Sequence, residues 1–272
     1  MSEVLVIGAT GTTGSRLTSF LRERGVPVRP AARKADRPGF VRFDWTEPET
    51  HAPALSGARA VYILPPPAVP EPAPLVEPFL HEAVRQGVRR AVLLGTSARP
   101  ERTPGAAALY ELVRTMLPEW AVLRPSWFMQ NFAGRAIALR RRDGELISAT
   151  GAGRAAFVDA GDIAAVAGHA LTDPEPHNTE HVITGPEALS YDDVAALLTE
   201  LGAGPLRHRP VGQDELAAHF AAAGMPRAYA ELLAALDTDI STGSEDRVTD
   251  TVERVTGRPP RSFRDFAAAE LR

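Results

Sequence analysis

Residues 4–14 read V-L-V-I-G-A-T-G-T-T-G and constrain the fold more than any other stretch of the chain. Four consecutive apolar residues, Val4, Leu5, Val6 and Ile7, have the unbroken hydrophobicity of a parallel strand covered on both faces, so they predict the first strand of an α/β sheet. Gly8, Gly11 and Gly14 follow at three-residue spacing. That spacing lets the backbone turn sharply, approach a pyrophosphate and pack the next helix against the strand. The helix then opens with N–H groups aimed at the turn, and Thr10, Thr12 and Thr13 add hydroxyl donors, so an anion belongs there. The pattern is G-x-x-G-x-x-G, not G-x-G-x-x-G, and its meaning comes from the strand before it and the amphipathic helix after it. The alternative is a glycine-rich turn without a ligand.

Strand and helix signals then alternate. A helix apolar at Leu17, Phe20 and Leu21 ends at Gly25 and Pro27. A short second strand is expected around Val26 to Val28, against which Pro27 and Pro30 count because they fit an interior strand poorly. Arg33 and Lys34 come next. An acidic residue about 20 positions after a glycine turn binds a ribose 2′-hydroxyl, whereas a basic one suits a 2′-phosphate, so NADP(H) is preferred over NAD(H). The alternative is a solvated basic pair beside Asp36. Val41–Phe43 make a third strand, followed by Asp44-Trp45. A carboxylate at a strand's carboxyl end faces the ligand crevice, where it can accept from an adenine amine; it can equally cap the helix expected near Pro48.

Ala60–Leu64 form a fourth strand that runs into Pro65-Pro66-Pro67, and the prolines up to Pro78 predict a stiff, extended loop beside the cofactor cleft. A helix apolar at Leu75, Phe79, Ala83 and Val84 ends at Gly87. Ala91–Leu94 is a fifth strand leading to Gly95-Thr96-Ser97, Tyr110–Leu117 is helical, and Ala121–Arg124 is a sixth strand. The repeated alternation sets the fold class as α/β, a Rossmann doubly wound parallel sheet. Immediately afterwards Pro125-Ser126-Trp127-Phe128-Met129-Gln130-Asn131-Phe132 places three large rings, an amide and a hydroxyl past a strand end. These residues are either a nicotinamide-facing wall or core between two lobes.

Arg135, Arg140, Arg141 and Arg142 form a basic cluster that reads as the solvated face of a helix, since Asp143 and Glu145 stand beside it. Ala156–Asp159 leads into a helix over 162–171 with Asp162 at its start. A further strand returns over 181–184, and helices around 216–220 and 229–236 carry apolar faces for a pocket or an interface. His177 and His181 are four residues apart, but the preceding D-P-E-P reads as loop and no third ligand follows, so no metal site is expected.

At 272 residues the chain has ample core for one large domain or two small ones. Net charge is −4 with no dominant basic stripe, so nucleic acid is not the expected partner. Without cysteine there are no disulfides, thiol catalysis or thiolate metal sites. The first strand begins within three residues of Met1 and no apolar run approaches the length of a membrane span, so a cytoplasmic protein with no signal peptide is expected.

The G-A-T-G-T-T-G turn, Leu94–Ser97, Leu123–Phe132, Phe157–Asp159 before Asp162-Ile163-Ala164, and Thr184-Gly185-Pro186 occur in that order. Together they resemble the NmrA-like family of atypical short-chain dehydrogenase/reductases, which includes ergot-alkaloid-type reductases, and the likeness spans essentially the whole chain. The resemblance implies a Rossmann domain over 1–126 and 155–185 that binds NADP(H), and a smaller lobe over 127–154 and 186–272 that covers the substrate. It also implies cofactor contacts at Gly8, Thr10, Gly11, Thr12, Thr13, Gly14, Arg33, Asp44, Leu64, Pro65, Ser97 and the residues after Pro125. Lys34, Trp45, Thr96, Pro125, Trp127 and Phe128 complete the expected cofactor set.

The wider dehydrogenase pattern uses Y-x-x-x-K, in which a lysine lowers the pKa of a proton-donating tyrosine. Lys34 is the only lysine in the chain and lies far upstream. Tyr110 is followed by Arg114 at that spacing, but counting back from Arg124 puts Tyr110 near the lysine's usual place and Ala106 where the tyrosine would be. The expected activity is therefore an NADPH-dependent reduction of a small, largely apolar molecule whose reduction needs little enzymic acid: a quinone, enone, ketone or imine, in secondary metabolism. Tyr110, Ser97 and Asn131 are the candidate catalytic donors. The alternatives are a non-enzymatic NADP(H) sensor and a non-redox enzyme acting on an aromatic or polyketide-like molecule.

Overall fold

The structure, a computed structural model, describes residues 3–98, 103–134 and 136–270. β1 (Glu3–Ile7), α1 (Thr12–Glu23), β2 (Val28–Ala32), β3 (Val41–Arg42), α2 (His51–Leu55), β4 (Ala58–Ile63), α3 (Ala73–Arg85), β5 (Arg90–Leu94), α4 (Pro104–Met116) and β6 (Glu119–Pro125) alternate along the chain. Three short strands follow, β7 (Arg141–Arg142), β8 (Glu145–Ser148) and β9 (Arg154–Ala155), then α5 (Ala160–Thr172) and β10 (Thr179–Ile183). The rest comprises β11 (Leu189–Ser190), α6 (Tyr191–Glu200), β12 (Arg207–Pro210), α7 (Gln213–Ala222), α8 (Arg227–Ser241), α9 (Thr251–Thr256) and α10 (Phe263–Glu270).

These elements fall into two compact units. The first comprises 1–125, 160–182 and 254–257, so that 155–159 and 183–185 belong to the second. Its core is the seven-stranded parallel sheet expected for a doubly wound fold, in the order β10-β6-β5-β4-β1-β2-β3. From β1 the chain steps outward through β2 to β3, then returns to β1's other edge with β4. The direction of winding reverses at β1, which places a ligand crevice at the carboxyl ends of β1 and its neighbours. Val4, Leu5, Val6 and Ile7 are all buried, as a central parallel strand with helices on both faces requires.

Three local expectations are corrected. The second strand lies at Val28–Ala32 and contains Pro30, paired in register with Val6. The carbonyls of Pro27 and Ala31 face β1 and that of Ala32 faces β3, so by alternation Pro30's missing N–H also points toward β3. Pairing with β3 starts only at Ala31, so the proline deprives no partner strand of a bond. The proline-rich loop is shorter than expected: α3 begins at Ala73 and carries Pro78 inside it. Its buried face is Val76, Phe79, Leu80 and Ala83, whereas Val84 is exposed.

The third correction lies in the second unit, which comprises 126–159, 183–253 and 258–272. Arg141 and Arg142 form a strand, not a helix face, and β8 joins them to β12. Arg140 is buried, not solvated; Arg135 lies outside the described residues. One core of this unit is a ring cluster of Phe132, Phe157, Tyr191 and Phe263. A second packs Leu216 and Phe220 of α7 against Ala230 and Ala234 of α8 and Ile147 of β8.

Candidate functional site

The turn after β1 is shaped by backbone contacts. Gly8 has φ +72°, in the left-handed region that favours glycine. Ala9 N–H donates to Ala31 O at 3.1 Å and Gly11 N–H to Gly8 O at 2.8 Å, which pins the turn to β2 and closes it on itself. Gly14 sits directly over Gly8: a Cβ there would lie 2.2 Å from Gly8 O. α1 starts from Gly11 with no side-chain cap, and among the described residues the N–H groups of Thr12, Thr13 and Gly14 have no acceptor. A close-approach cradle with open donors at a helix start fits the diphosphate of a dinucleotide. Thr10 and Thr12 are exposed there. Thr13 is turned inward, and its Oγ1 accepts from the buried Tyr62 hydroxyl at 3.0 Å, leaving its N–H as the open donor.

Neighbouring strand ends converge on this turn. Leu64, just past β4, packs across Gly8, where a Cβ would come 2.3 Å from Leu64 Cδ2. Pro65 follows it, half-buried. The indole N–H of Trp45 donates to Leu64 O at 3.1 Å, while its ring is buried against Phe43, His51 and Phe79. Trp45 thus holds Leu64 in place from the core. Arg33 and Lys34 extend from the end of β2, exposed and with no ion-pair partner among the described residues. Asp44 Oδ1 accepts from Thr46 N–H at 2.9 Å and from its hydroxyl at 2.8 Å, and these bonds, with the charges of Arg33 and Arg42, hold the carboxyl below its usual range. Asp44 therefore caps the turn ahead of Pro48, and the short helix beginning at Pro48 has Glu47 as its N-cap.

At the ends of β5 and β6, the Tyr110 hydroxyl accepts from Thr96 N–H at 2.9 Å. It is buried, and burial pushes its pKa up. Ser97 is also buried, and its N–H donates to Pro125 O at 3.0 Å. Sequence reasoning missed Arg124. Its Nε donates to Thr96 O at 3.1 Å and its Nη2 to Ala98 O at 3.1 Å, while Nη1 pairs with Glu180 at 2.9 Å. Arg124 and Tyr110 together fix the 96–98 loop. Lys34 lies past the end of β2, separated from β5 by β1 and β4 in the sheet, so no lysine supports Tyr110.

The remaining candidates belong to the second unit. Phe128 bridges Val158, and Trp127 O accepts from Val158 N–H at 2.9 Å. Trp127, Phe128 and Asn131 are half-buried, whereas Met129 and Phe132 are core. The buried Ser126 hydroxyl donates to the buried Glu245 at 3.0 Å. Arg140 makes a bidentate pair with Asp237 at 2.7 and 2.8 Å and lies beside the rings of Trp127, Tyr191 and Phe220. Ser148, His208 and Asp192 have the connectivity of an acyl-transfer triad, with 2.8 Å from Ser148 Oγ to His208 Nε2 and 3.2 Å from His208 Nδ1 to Asp192. Ser148 has no exposed surface, so these bonds hold β8 to β12 and offer no nucleophile.

His177 and His181 are in contact, 2.8 Å between ring nitrogens, and Asp173 bridges His177 and His169 at 3.1 Å each. The chain of bonds is a structural clasp, and among the described residues no three groups are placed to hold a metal ion. No helix among these residues is long and apolar enough to cross a membrane.

No protein-family model matches the chain. It is 44% identical over 271 residues to the uncharacterized oxidoreductase YesF of Bacillus subtilis, covering 98% of this chain and 94% of that protein. It is 34% identical to agroclavine dehydrogenase of Claviceps fusiformis, covering 97% and 96%. Among solved structures it resembles the NADPH complex of the quinone oxidoreductase QOR2 of Escherichia coli, with a TM-score of 0.86 at 20% identity over 99% of this chain and all of that one. The fold, the glycine cradle at its switch point and full-length similarity to two oxidoreductases converge: the chain belongs to the NmrA-like family of atypical short-chain dehydrogenase/reductases and is an NAD(P)H-dependent oxidoreductase.

Proposed function

We propose that this protein is a cytoplasmic NADPH-dependent reductase of small, largely apolar organic molecules, namely quinones, enones, ketones or imines, in secondary metabolism. The observation that carries the reading is the conjunction of an open phosphate cradle at Gly8–Gly14 with Arg33 and Lys34, which have no ion-pair partner among the described residues, at the end of the adjacent strand. The relatives add weight: one is an agroclavine dehydrogenase, and a structure of the same fold is an NADPH-bound quinone oxidoreductase.

In this reading the amides of Thr12, Thr13 and Gly14 hold the diphosphate, with the Thr10 and Thr12 hydroxyls beside them. Arg33 and Lys34 hold the 2′-phosphate, which favours NADP(H) over NAD(H). Asp44, Leu64 and Pro65 bound the nucleotide, Trp45 positions Leu64, and Thr96, Ser97, Pro125, Trp127 and Phe128 serve the nicotinamide end. When bound, the nicotinamide supplies a hydride. Segments 127–154 and 186–272 select the substrate. Tyr110, Ser97 and Asn131 are the available donors to the reduced product; Tyr110 already accepts Thr96 N–H, and no lysine assists it. Substrates that form a stabilised product on accepting hydride fit such a site.

The test is to follow cofactor binding and loss of reduced-nicotinamide absorbance with NADPH or NADH against a panel of quinones, enones, ketones and imines. Protein-dependent oxidation with at least one class is expected, faster with NADPH at limiting concentration. Replacing Arg33 and Lys34 by alanine should raise KM for NADPH about tenfold, equivalent to about 1.4 kcal/mol, with little change for NADH. Tight NADPH binding without turnover across the panel would overturn the substrate class.

A further inference from the structure

The first unit carries a cavity of about 530 Å³ at the amino ends of the strands, the edge of the sheet opposite the glycine cradle. Val4 of β1, Ala60 of β4, Val26 and Leu171 form its apolar floor. Three guanidinium groups line it, from Arg59, Arg89 and Arg90, together with two carboxylates, those of Glu119 and Asp173. Glu119 serves two of these arginines, at 3.3 Å from Arg89 and 2.8 Å from Arg90. Arg90 is further committed to Asp173 O at 2.6 Å. Arg59 donates to Gly87 O at 3.2 Å and has no carboxylate partner among the described residues. The other lining carboxylate, Asp173, is taken up by His169 and His177.

The geometry points to a second ligand site here, for a small organic oxyanion: a carboxylate or phosphate ester with a short apolar body. Three guanidiniums against the carboxylates of Glu119 and Asp173 leave a net positive charge at the cavity, and a partly enclosed setting strengthens its pull on an anion. The volume suits a metabolite-sized ligand, and the mix of apolar floor and a few convergent polar groups is that of a small-molecule site. Arg59, with no carboxylate partner among the described residues, is the residue placed to turn toward the ligand. Arg90 and Glu119 form the fixed wall.

The experiment titrates inorganic phosphate and, separately, succinate into the protein already saturated with NADPH, so that the glycine cradle is occupied, and reads binding by calorimetry. Saturable binding with a dissociation constant at or below about 1 mM is expected for one probe. Succinate alone marks a carboxylate ligand, and phosphate alone a phosphate ester. Arg59→Glu and Arg59→Gln should each weaken that binding at least tenfold while leaving NADPH affinity unchanged; both alter an exposed side chain and leave the core intact. No saturable binding of either probe, or equal binding by both variants and the parent, would overturn the site.

Discussion

The turn at Gly8–Gly14 and the Arg140–Asp237 pair are both rigid, and they are rigid for opposite reasons. The turn is built within seven residues from backbone alone, with Gly14 resting on Gly8 and α1 opening onto unpaired amides. The pair joins two side chains 97 residues apart, both buried, each the other's countercharge in that core. A backbone device tolerates almost any side-chain change that adds no Cβ to the cradle. A buried charge pair tolerates the loss of neither partner, because the survivor stays buried and uncompensated.

The sharpest way to separate the two is Asp237→Ala. It should lower the stability of the second unit by about 3–5 kcal/mol, measured by urea unfolding, because it strands the Arg140 guanidinium among Trp127, Tyr191 and Phe220. An Arg140→Met, Asp237→Leu double variant should recover most of the loss. If Asp237→Ala unfolded like the parent, the pair would not be the keystone its geometry implies. On the other side of the comparison, Gly14→Ala should cost about 1–3 kcal/mol by forcing a Cβ against Gly8 O. It should weaken NADPH binding at least a hundredfold, a far larger effect on affinity than on stability.

This contrast also explains what was legible in the sequence. β1, the glycine turn and the alternation of strands and helices through β6 could be read because each is announced by neighbours in the chain: an apolar run, a glycine spacing, a helix face. Arg140 was misread for the complementary reason. Beside Arg141, Arg142 and Asp143 it looks solvated, and nothing local reports the carboxylate that arrives from α8. Arg124 was missed in the same way, since its partners Thr96, Ala98 and Glu180 are distant in sequence. Pro30 failed as a negative signal because its consequence depended on where β3 begins.

The histidine clasp of the first unit behaves as the charge pair does, through groups brought together by folding. His181 is buried, and burial together with the charges of His177 and Arg254 depresses its pKa to about 4. His177 packs against it with Asp173 and His169 beyond, and Arg254 faces it from α9. Because the folded value lies below the unfolded value of about 6.5, the unfolded chain binds the proton first, so His181 costs no stability at neutral pH. As pH falls from 6.5 toward 4, stability should drop, by about 2 kcal/mol at pH 5 from this group. Unfolding titrations at pH 7 and pH 5 check the drop, and His181→Gln should flatten the difference. An unchanged slope in that variant would assign the acid sensitivity elsewhere.

The smallest expected effect tests where the two kinds of device meet. Beneath the backbone cradle lies one long-range side-chain bond, from the Tyr62 hydroxyl on β4 to Thr13 Oγ1 in the first turn of α1, both groups buried. Tyr62→Phe removes the donor and should cost about 1 kcal/mol. If the bond also fixes the first turn of α1, NADPH affinity should fall a few-fold while kcat stays the same, since Tyr62 is fully buried and reaches no ligand. Thr13→Val should do the same from the other side. Combining the two replaces both partners by apolar groups of similar shape, which can be nearly neutral. Restored affinity in the double variant would show that the cradle depends on how α1 is seated, and additive losses would show that the two substitutions act independently of the bond between them.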